Sequence, residues 1–355
     1  MKKIVLNKSL VLSVKSLIHE ARKSVVRNVN TAMLITHYEV GRMIVEEEQH
    51  GKGRADYGKE VIKHLSEELI KEFGKGYSAD NLEKFRKFYS CYHSRISESV
   101  IRKSGAKIKS ESVIRISQPY FETFALSFQL SWTHYFHLLK IENESERNFY
   151  EIEASANNWS VREMQRQINA ALYERLSLSK DKKGIKKLSS KGQILERSTD
   201  VIKDPYVLEF LDLKEDNRYS ESDLETAIIN KLEHFMLELG KGFLFEGRQR
   251  RFTMEGHHFY VDLVFYNRLL KCFVLIDLKI GELTHQDIGQ MQMYVNYYDR
   301  KIKTKEENPT VGIILCRKDN KTVIEYTLPE GNKQIFSREY KLYLPSKEEL
   351  KKQLE

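Results

Sequence analysis

The chain is short of the residues that interrupt regular structure, with 5 prolines and 17 glycines in 355 residues. Together with a hydrophobic fraction of 41%, this excludes a collagen-like or wholly disordered chain and leaves material for packed cores. Cysteine is scarcer still. Cys91, Cys272 and Cys316 are odd in number and scattered, and the last two lie inside apolar runs. They read as free thiols, not as a disulfide framework or a cysteine zinc site. No stretch reaches the roughly 18 apolar residues a membrane span needs. The first apolar run is broken by Asn7, Lys8 and Lys15, so no secretory segment is expected. The expectation is a cytoplasmic protein with no membrane partner. P-loops, dinucleotide fingerprints and Gly-x-Ser-x-Gly elbows are also missing.

Charge is abundant and nearly balanced: 59 Lys and Arg against 51 Asp and Glu, a net of +8. The excess leans toward polyanionic partners such as nucleic acid, although a solvated basic surface accounts for the same balance.

The length suits two domains. Residues 1–178 carry apolar residues at helical spacing and predict an all-helical domain. Leu17, Ile18, Ala21, Val25, Val29 and Leu34 mark one long amphipathic helix. A second helix is expected over Tyr57–Phe73. After the Gly74–Ser78 turn, a third is expected to run to about Tyr92 with Ser78 as its cap. Helix, glycine turn and basic helix resemble a helix-turn-helix, and Lys84, Arg86 and Lys87 are its candidate phosphate-binding residues. The alternative is that Phe85, Phe88 and Tyr89 face a core and the basic side chains simply face water.

Residues 98–118 show no clean period and predict an exposed connection. Helical pattern returns over 121–139 and over 160–178, where Ser160 and Glu163 form a capping box. Residues 179–192 hold six lysines and one aspartate, and 179–205 is read as a solvated linker. From 206 to 355 the pattern is helix (222–239), three strands (243–253, 259–266, 271–279), a helix to Tyr298 with Thr284 as its cap and Asp287 three residues on, strand (311–316) and a late strand near Leu342. The fold class is therefore α+β overall: a helical N-terminal domain, then an α/β domain with a central mixed sheet flanked by helices.

Two carboxylates stand out because each is a lone charge in an apolar strand. Asp277 lies in Phe273-Val-Leu-Ile-Asp-Leu-Lys279, and an ionised group there is costly unless paired or bound to a cation. Strand alternation puts Asp277 and Lys279 on one face, roughly 7 Å apart. Asp262 lies in Phe259-Tyr-Val-Asp-Leu-Val-Phe265, and a tight connection lets the two strands pair so that Asp262 and Asp277 sit side by side. Two such carboxylates repel, and a divalent cation is the usual resolution. Glu225, at the edge of the preceding helix's apolar stripe, is a candidate third oxygen ligand, and Gln290 and Tyr294 share one face of the following helix. His257 and His258, being adjacent on a strand, face opposite sides and cannot share a metal.

This order resembles the PD-(D/E)XK nuclease superfamily. The resemblance implies that Asp262 and Asp277 are acidic metal ligands and that Lys279 is the motif lysine. It likens Glu225 to the helix glutamate, and Gln290 with Tyr294 to the Gln-x-x-x-Tyr helix of RecB-like branches. The whole chain is similar to YhcG-type proteins, through Phe73-Gly-Lys-Gly-Tyr-Ser, Ser131-Trp-Thr-His-Tyr, Asn158-Trp-Ser-Val-Arg-Glu-Met-Gln-Arg-Gln167 and Asp262-Leu-Val-Phe-Tyr. It departs from them at Asp277, where that family commonly has Glu. The resemblance implies a Mg²⁺-dependent (or Mn²⁺-dependent) endonuclease, with DNA preferred over RNA. The helical domain is read as binding nucleic acid or a partner subunit, a homo-oligomer through this domain being one such arrangement. A catalytically silent nucleic-acid-binding or assembly protein and an RNA-processing nuclease are the alternatives.

Overall fold

A computed structural model describes residues 8–50, 55–104, 118–178, 182–213, 219–346 and 349–350. The chain divides into two compact units, Met1–Arg147 and Asn148–Glu355.

The first unit is helical: α1 (Lys8–His50), α2 (Ala55–Phe73), α3 (Ala79–Ser104), α4 (Gln118–Ser127), α5 (Trp132–Leu138) and the start of α6 (Glu144–Ala156). Its core is aromatic. Phe88 on α3 lies 5.2–5.5 Å, centroid to centroid, from Tyr92, Phe128, Trp132 and Tyr135. Helices α1 and α3 cross closely because Gly41 has no side chain; a Cβ there would lie 2.1 Å from the Phe85 carbonyl oxygen. The stripe Phe85, Phe88, Tyr92 and Ile96 stays buried, so α3 runs on to Ser104, beyond the expected end at Tyr92. Its serines had masked that period. The rest of the expected connection, 105–117, lies outside the described residues. The predicted 121–139 helical stretch is two helices, parted at residues 128–131.

α1 is the long helix expected from its period, but its first half does not face a core. Leu17, Ile18, Val25 and Val29 are all exposed; burial begins at Thr31, and the first buried apolar side chains are Leu34 and Ile35.

The second unit holds α7 (Val161–Asn169), α8 (Leu172–Leu178), α9 (Lys182–Lys191), α10 (Glu221–Asn230), α11 (Leu232–Leu239), α12 (His285–Tyr297) and α13 (Lys321–Thr327). Its strands are β1 (Tyr206–Val207), β2 (Phe243–Met254), β3 (His257–Asn267), β4 (Cys272–Glu282), β5 (Val311–Lys318) and β6 (Ile335–Lys341). They form a six-stranded mixed sheet in the order β1-β6-β5-β4-β3-β2, antiparallel from β2 to β4 and parallel from β4 to β1. Leu224, Ile228, Phe235 and Leu239 of α10 and α11 cover one face of it, against Leu263, Phe265, Ile276 and Ile313. Ile288, Met291, Tyr294 and Val295 of α12 cover the other, against Val264, Leu275 and Ile314. Side chains two apart on a strand share a face, so both sandwich layers were legible in the apolar runs.

Two local expectations need correction. The helix predicted over 222–239 is broken at Lys231, which separates α10 from α11. The Lys-rich stretch read as solvated linker contains α9, whose Leu188 is buried and whose last turn ends at Gly192 in a left-handed conformation. Residues 179–181 lie outside the described residues. The division between compact units falls upstream of this stretch because α7 and α8 are tied into the second unit by buried charge. Arg175 and Glu238 are both fully buried and lie 2.5 Å apart, and Arg175 also donates to the carbonyls of Ala170 and Pro205.

Candidate active site

The β3–β4 ladder pairs Asn267 with Cys272 and ends at Leu263 with Ile276. One step further the register would set Asp262 opposite Asp277, but there the strands part. In place of a ladder bond, Asp262 Oδ2 accepts the Leu278 backbone N–H at 2.8 Å.

Asp277 is 1% exposed. Lys279 Nζ lies 2.9 Å from its Oδ2, forming an ion pair. Burial, and then the neighbouring Asp262 carboxylate within hydrogen-bonding reach, push Asp277 up from the usual carboxylate value to about 7; Lys279 opposes the rise. Burial works against the charge on Lys279 itself, but Asp277, with Glu221 and Asp287, outweighs it and holds the ammonium protonated. Glu221 Oε2 and Asp287 Oδ1 each stand 3.8 Å from Lys279 Nζ.

Helix ends place those two acids. Ser220 and Asp223 form a capping box that starts α10 and sets Glu221 in its first turn. Thr284 and Asp287 form another that starts α12, where Asp287 Oδ2 accepts the Thr284 N–H while Oδ1 faces the lysine.

Glu225, one turn into α10, is 7% exposed, and burial raises its pKa. It is joined to Asp262 through Gln249, whose Nε2 donates to Glu225 Oε2 at 2.5 Å and to Asp262 Oδ1 at 3.0 Å. Among the described residues no three Asp, Glu, His or Cys side chains form a ready metal cluster; Asp262 and Asp277 are in contact, and Glu225 is one amide away. Tyr294 packs its ring in the helix–sheet core, 5.6 Å from Phe252, and its hydroxyl accepts from Gln290 Nε2. Both carboxylates raise the Tyr294 pKa, after burial, so this hydroxyl feels the same charge.

Asp262, Asp277 and Lys279 thus lie together, Gln249 links Glu225 to Asp262, and buried Tyr294, bonded to Gln290, is near enough to feel both aspartates. The donor set is hard oxygen with an unmatched negative charge, which fits Mg²⁺ or Mn²⁺. Sequence reasoning missed Gln249 and Glu221 as members, and saw Asp287 only as part of a helix cap. Gln249 lies in the polar run Glu246–Arg251, where nothing distinguishes it from a wet strand residue.

The three basic candidates belong to the first unit, on α3. Lys84 pairs with Asp80 and lies 4.6 Å above the Phe136 ring. Arg86 pairs with Glu48 at 2.8 Å and Glu83 at 3.6 Å. Lys87 is exposed, while Phe85 and Phe88 are buried in the core.

Residues 199–355 match the family model described as the YhcG PDDEXK nuclease domain, and residues 13–175 match the DUF1016 N-terminal domain. These matches end and begin on either side of the Lys-rich stretch. A protein of Escherichia coli (strain K12) named "Putative nuclease YhcG" is 39% identical over 342 residues, 95% of this chain and 91% of that protein. Among solved structures, a repair endonuclease from Pyrococcus abyssi is similar over 37% of this chain and 50% of its own, at 19% identity and a TM-score of 0.25. That likeness is too slight to carry a statement about the fold.

Proposed function

We propose, for a chain that belongs to the YhcG family of PDDEXK nucleases, that its C-terminal domain cleaves DNA endonucleolytically with a bound Mg²⁺ or Mn²⁺. One observation carries the reading: Asp277 is buried against a second carboxylate, Asp262, with the Lys279 ammonium 2.9 Å from Asp277. Such an arrangement is costly without a cation to complete it.

When bound, the cation supplies an activated water and a Lewis acid for the phosphoryl oxygens. Asp262 and Asp277 would hold it, with Glu225 as a third oxygen donor. Lys279, kept protonated by three acids, orients the attacking water or stabilises charge developing on the phosphoryl oxygens. Gln290, bonded to the hydroxyl of buried Tyr294, positions substrate, with Tyr294 holding the Gln290 amide in place. The preference for DNA over RNA follows the family resemblance and the lack of base-stacking RNA motifs in the sequence.

The helical unit would contribute in two ways. Lys87 contacts phosphate directly, whereas Lys84 and Arg86 do so only on leaving Asp80 and Glu48. The exposed apolar face of α1 supports self-association through this unit. The domain division is proposed to run at 179–205, as the edges of the two family matches suggest.

The test is incubation with supercoiled, linear, branched and single-stranded DNA and with structured RNA, in Mg²⁺, Mn²⁺ or EDTA. Cleavage is expected to require the cation, to be faster on DNA, and to slow by at least ~100-fold in Lys279→Ala while gel-shift affinity stays near wild type. Equal activity in Lys279→Ala removes the lysine from the mechanism. Binding without cleavage on every substrate makes the chain a silent nuclease fold, and faster cleavage of RNA makes it an RNA-processing enzyme.

A further inference from the structure

Gln249 lies inside β2 yet has a φ of 47°, in the left-handed region that L side chains rarely adopt. The β2–β3 register pairs Arg248 with Leu263 and Arg250 with Val261, and the strained residue falls between these two pairs. A glutamine exposed on a strand gains nothing from such a backbone unless its side chain is needed where that backbone sends it.

Its carboxamide is sent between two carboxylates from different elements, Glu225 of α10 and Asp262 of β3. An amide NH₂ has two hydrogens, and both are used. Both acceptors are acidic, and Asp262 contributes to raising the Glu225 pKa, so the amide sits in their mutual repulsion. A glutamate here would add to that repulsion. An asparagine, one methylene shorter, could not reach both acids.

We propose that Gln249 is a positioning residue of the cation site: its amide holds Glu225 and Asp262 as a preset pair and remains their hydrogen-bond donor when the cation binds. This rests on the reading of those two acids as cation-holding oxygens. Each carboxylate keeps lone pairs for the ion, because Gln249 uses one on Glu225 Oε2 and one on Asp262 Oδ1. The strand distortion is retained because the straight strand would aim this side chain elsewhere.

The experiment uses the full chain and reads Mn²⁺ affinity by calorimetry or by the electron spin resonance of free Mn²⁺, alongside the thermal unfolding midpoint without metal. Gln249→Gly removes the amide and accepts the left-handed backbone; Gln249→Asn keeps an amide that tolerates this φ but shortens its reach. Both are expected to unfold close to wild type or above it, and to bind Mn²⁺ about 10- to 100-fold more weakly, the loss typical of a partner to a metal ligand. Mn²⁺ affinity within twofold of wild type in both variants overturns the assignment and leaves the amide as a cross-link. If the wild type itself binds no Mn²⁺, the reading of the site falls together with the role of Gln249.

Discussion

Asp277 couples the site to pH. Its folded pKa of about 7 lies above the ordinary value of 3.8, so between those values the folded chain holds a proton that the unfolded chain has released. A state that binds more protons loses ground as they are removed, so the cation-free protein should lose stability as pH rises from about 4 to about 7, with no further change from this group above that. A cation must displace the same proton. Mn²⁺ affinity should therefore climb by up to about tenfold per pH unit below 7 and level off above it. Titrations from pH 5.5 to 8 would measure this, and Asp277→Asn should bind weakly with a flat profile. A wild-type affinity independent of pH would mean that the carboxylate is already ionised and that Lys279, not a proton, balances it. At this scale the sequence was informative where one charge interrupts an apolar strand, as at Asp262, Asp277 and Lys279. It was silent where a polar residue does its work from a polar run: Gln249 is exceptional only in its backbone angle and partners, and neither is encoded at short range.

Among elements, a buried network around Glu238 joins α8 to the sheet domain, and Arg166 of α7 adds an ion pair to Glu209 at 2.9 Å. Arg175 reaches Glu238 of α11, the Glu238 carboxylate also accepts the Val207 N–H at 3.0 Å, and buried Lys203 donates to the Glu238 carbonyl. Burial raises the Glu238 pKa, but Arg175 and Lys203 outweigh it and the carboxyl is held below its usual value. Burial lowers Lys203 to about 8, with Glu238 working the other way. Replacing Glu238 by Gln strands the Arg175 and Lys203 charges away from water. The expected loss is about 3–5 kcal/mol, the usual cost of breaking a buried pair from one side, read by urea unfolding of the full chain. A loss under ~1 kcal/mol would show that water or another acid reaches Arg175 and that the network does not hold these helices. The elements themselves were legible through their periods of two and 3.6, and the Ser160 and Thr284 capping boxes lie where the sequence put them. What joins them was not. Arg175 and Glu238 are 63 residues apart, and the lysines around Leu188 give α9 the composition of a linker.

For the whole molecule, the first half of α1 carries, among the described residues, an exposed apolar face within the first unit. Val11, Ile18 and Val25 recur every seventh residue, with Val14, Ala21 and Asn28 three places after each, and Leu10 and Leu17 beside them. This is the spacing of a two-stranded coiled-coil seam, with β-branched residues at one seam position and a single asparagine at the other. The seam runs for about 25–30 Å along the helix. Leu10 is 55% exposed, Leu17 71% and Val25 62%, so the face is not used within the first unit. A second copy of the chain offers the same pattern, and two seams pack by interdigitation with no change elsewhere. Basic residues outnumber acidic ones on this stretch: Lys8, Lys15, Arg22, Lys23 and Arg27 face only Glu20. Paired copies therefore repel, and added salt should strengthen association by screening them. Sedimentation at micromolar to tens of micromolar concentrations is expected to show a concentration-dependent dimer that tightens from 50 to 300 mM salt. Leu17→Glu combined with Val25→Glu should give a monomer whose unfolding midpoint matches that of the wild type at concentrations too low for it to dimerise, since both side chains are exposed in the first unit. A wild type that stays monomeric throughout would sink the self-association, and a dimer that survives both substitutions would move the interface elsewhere on the chain.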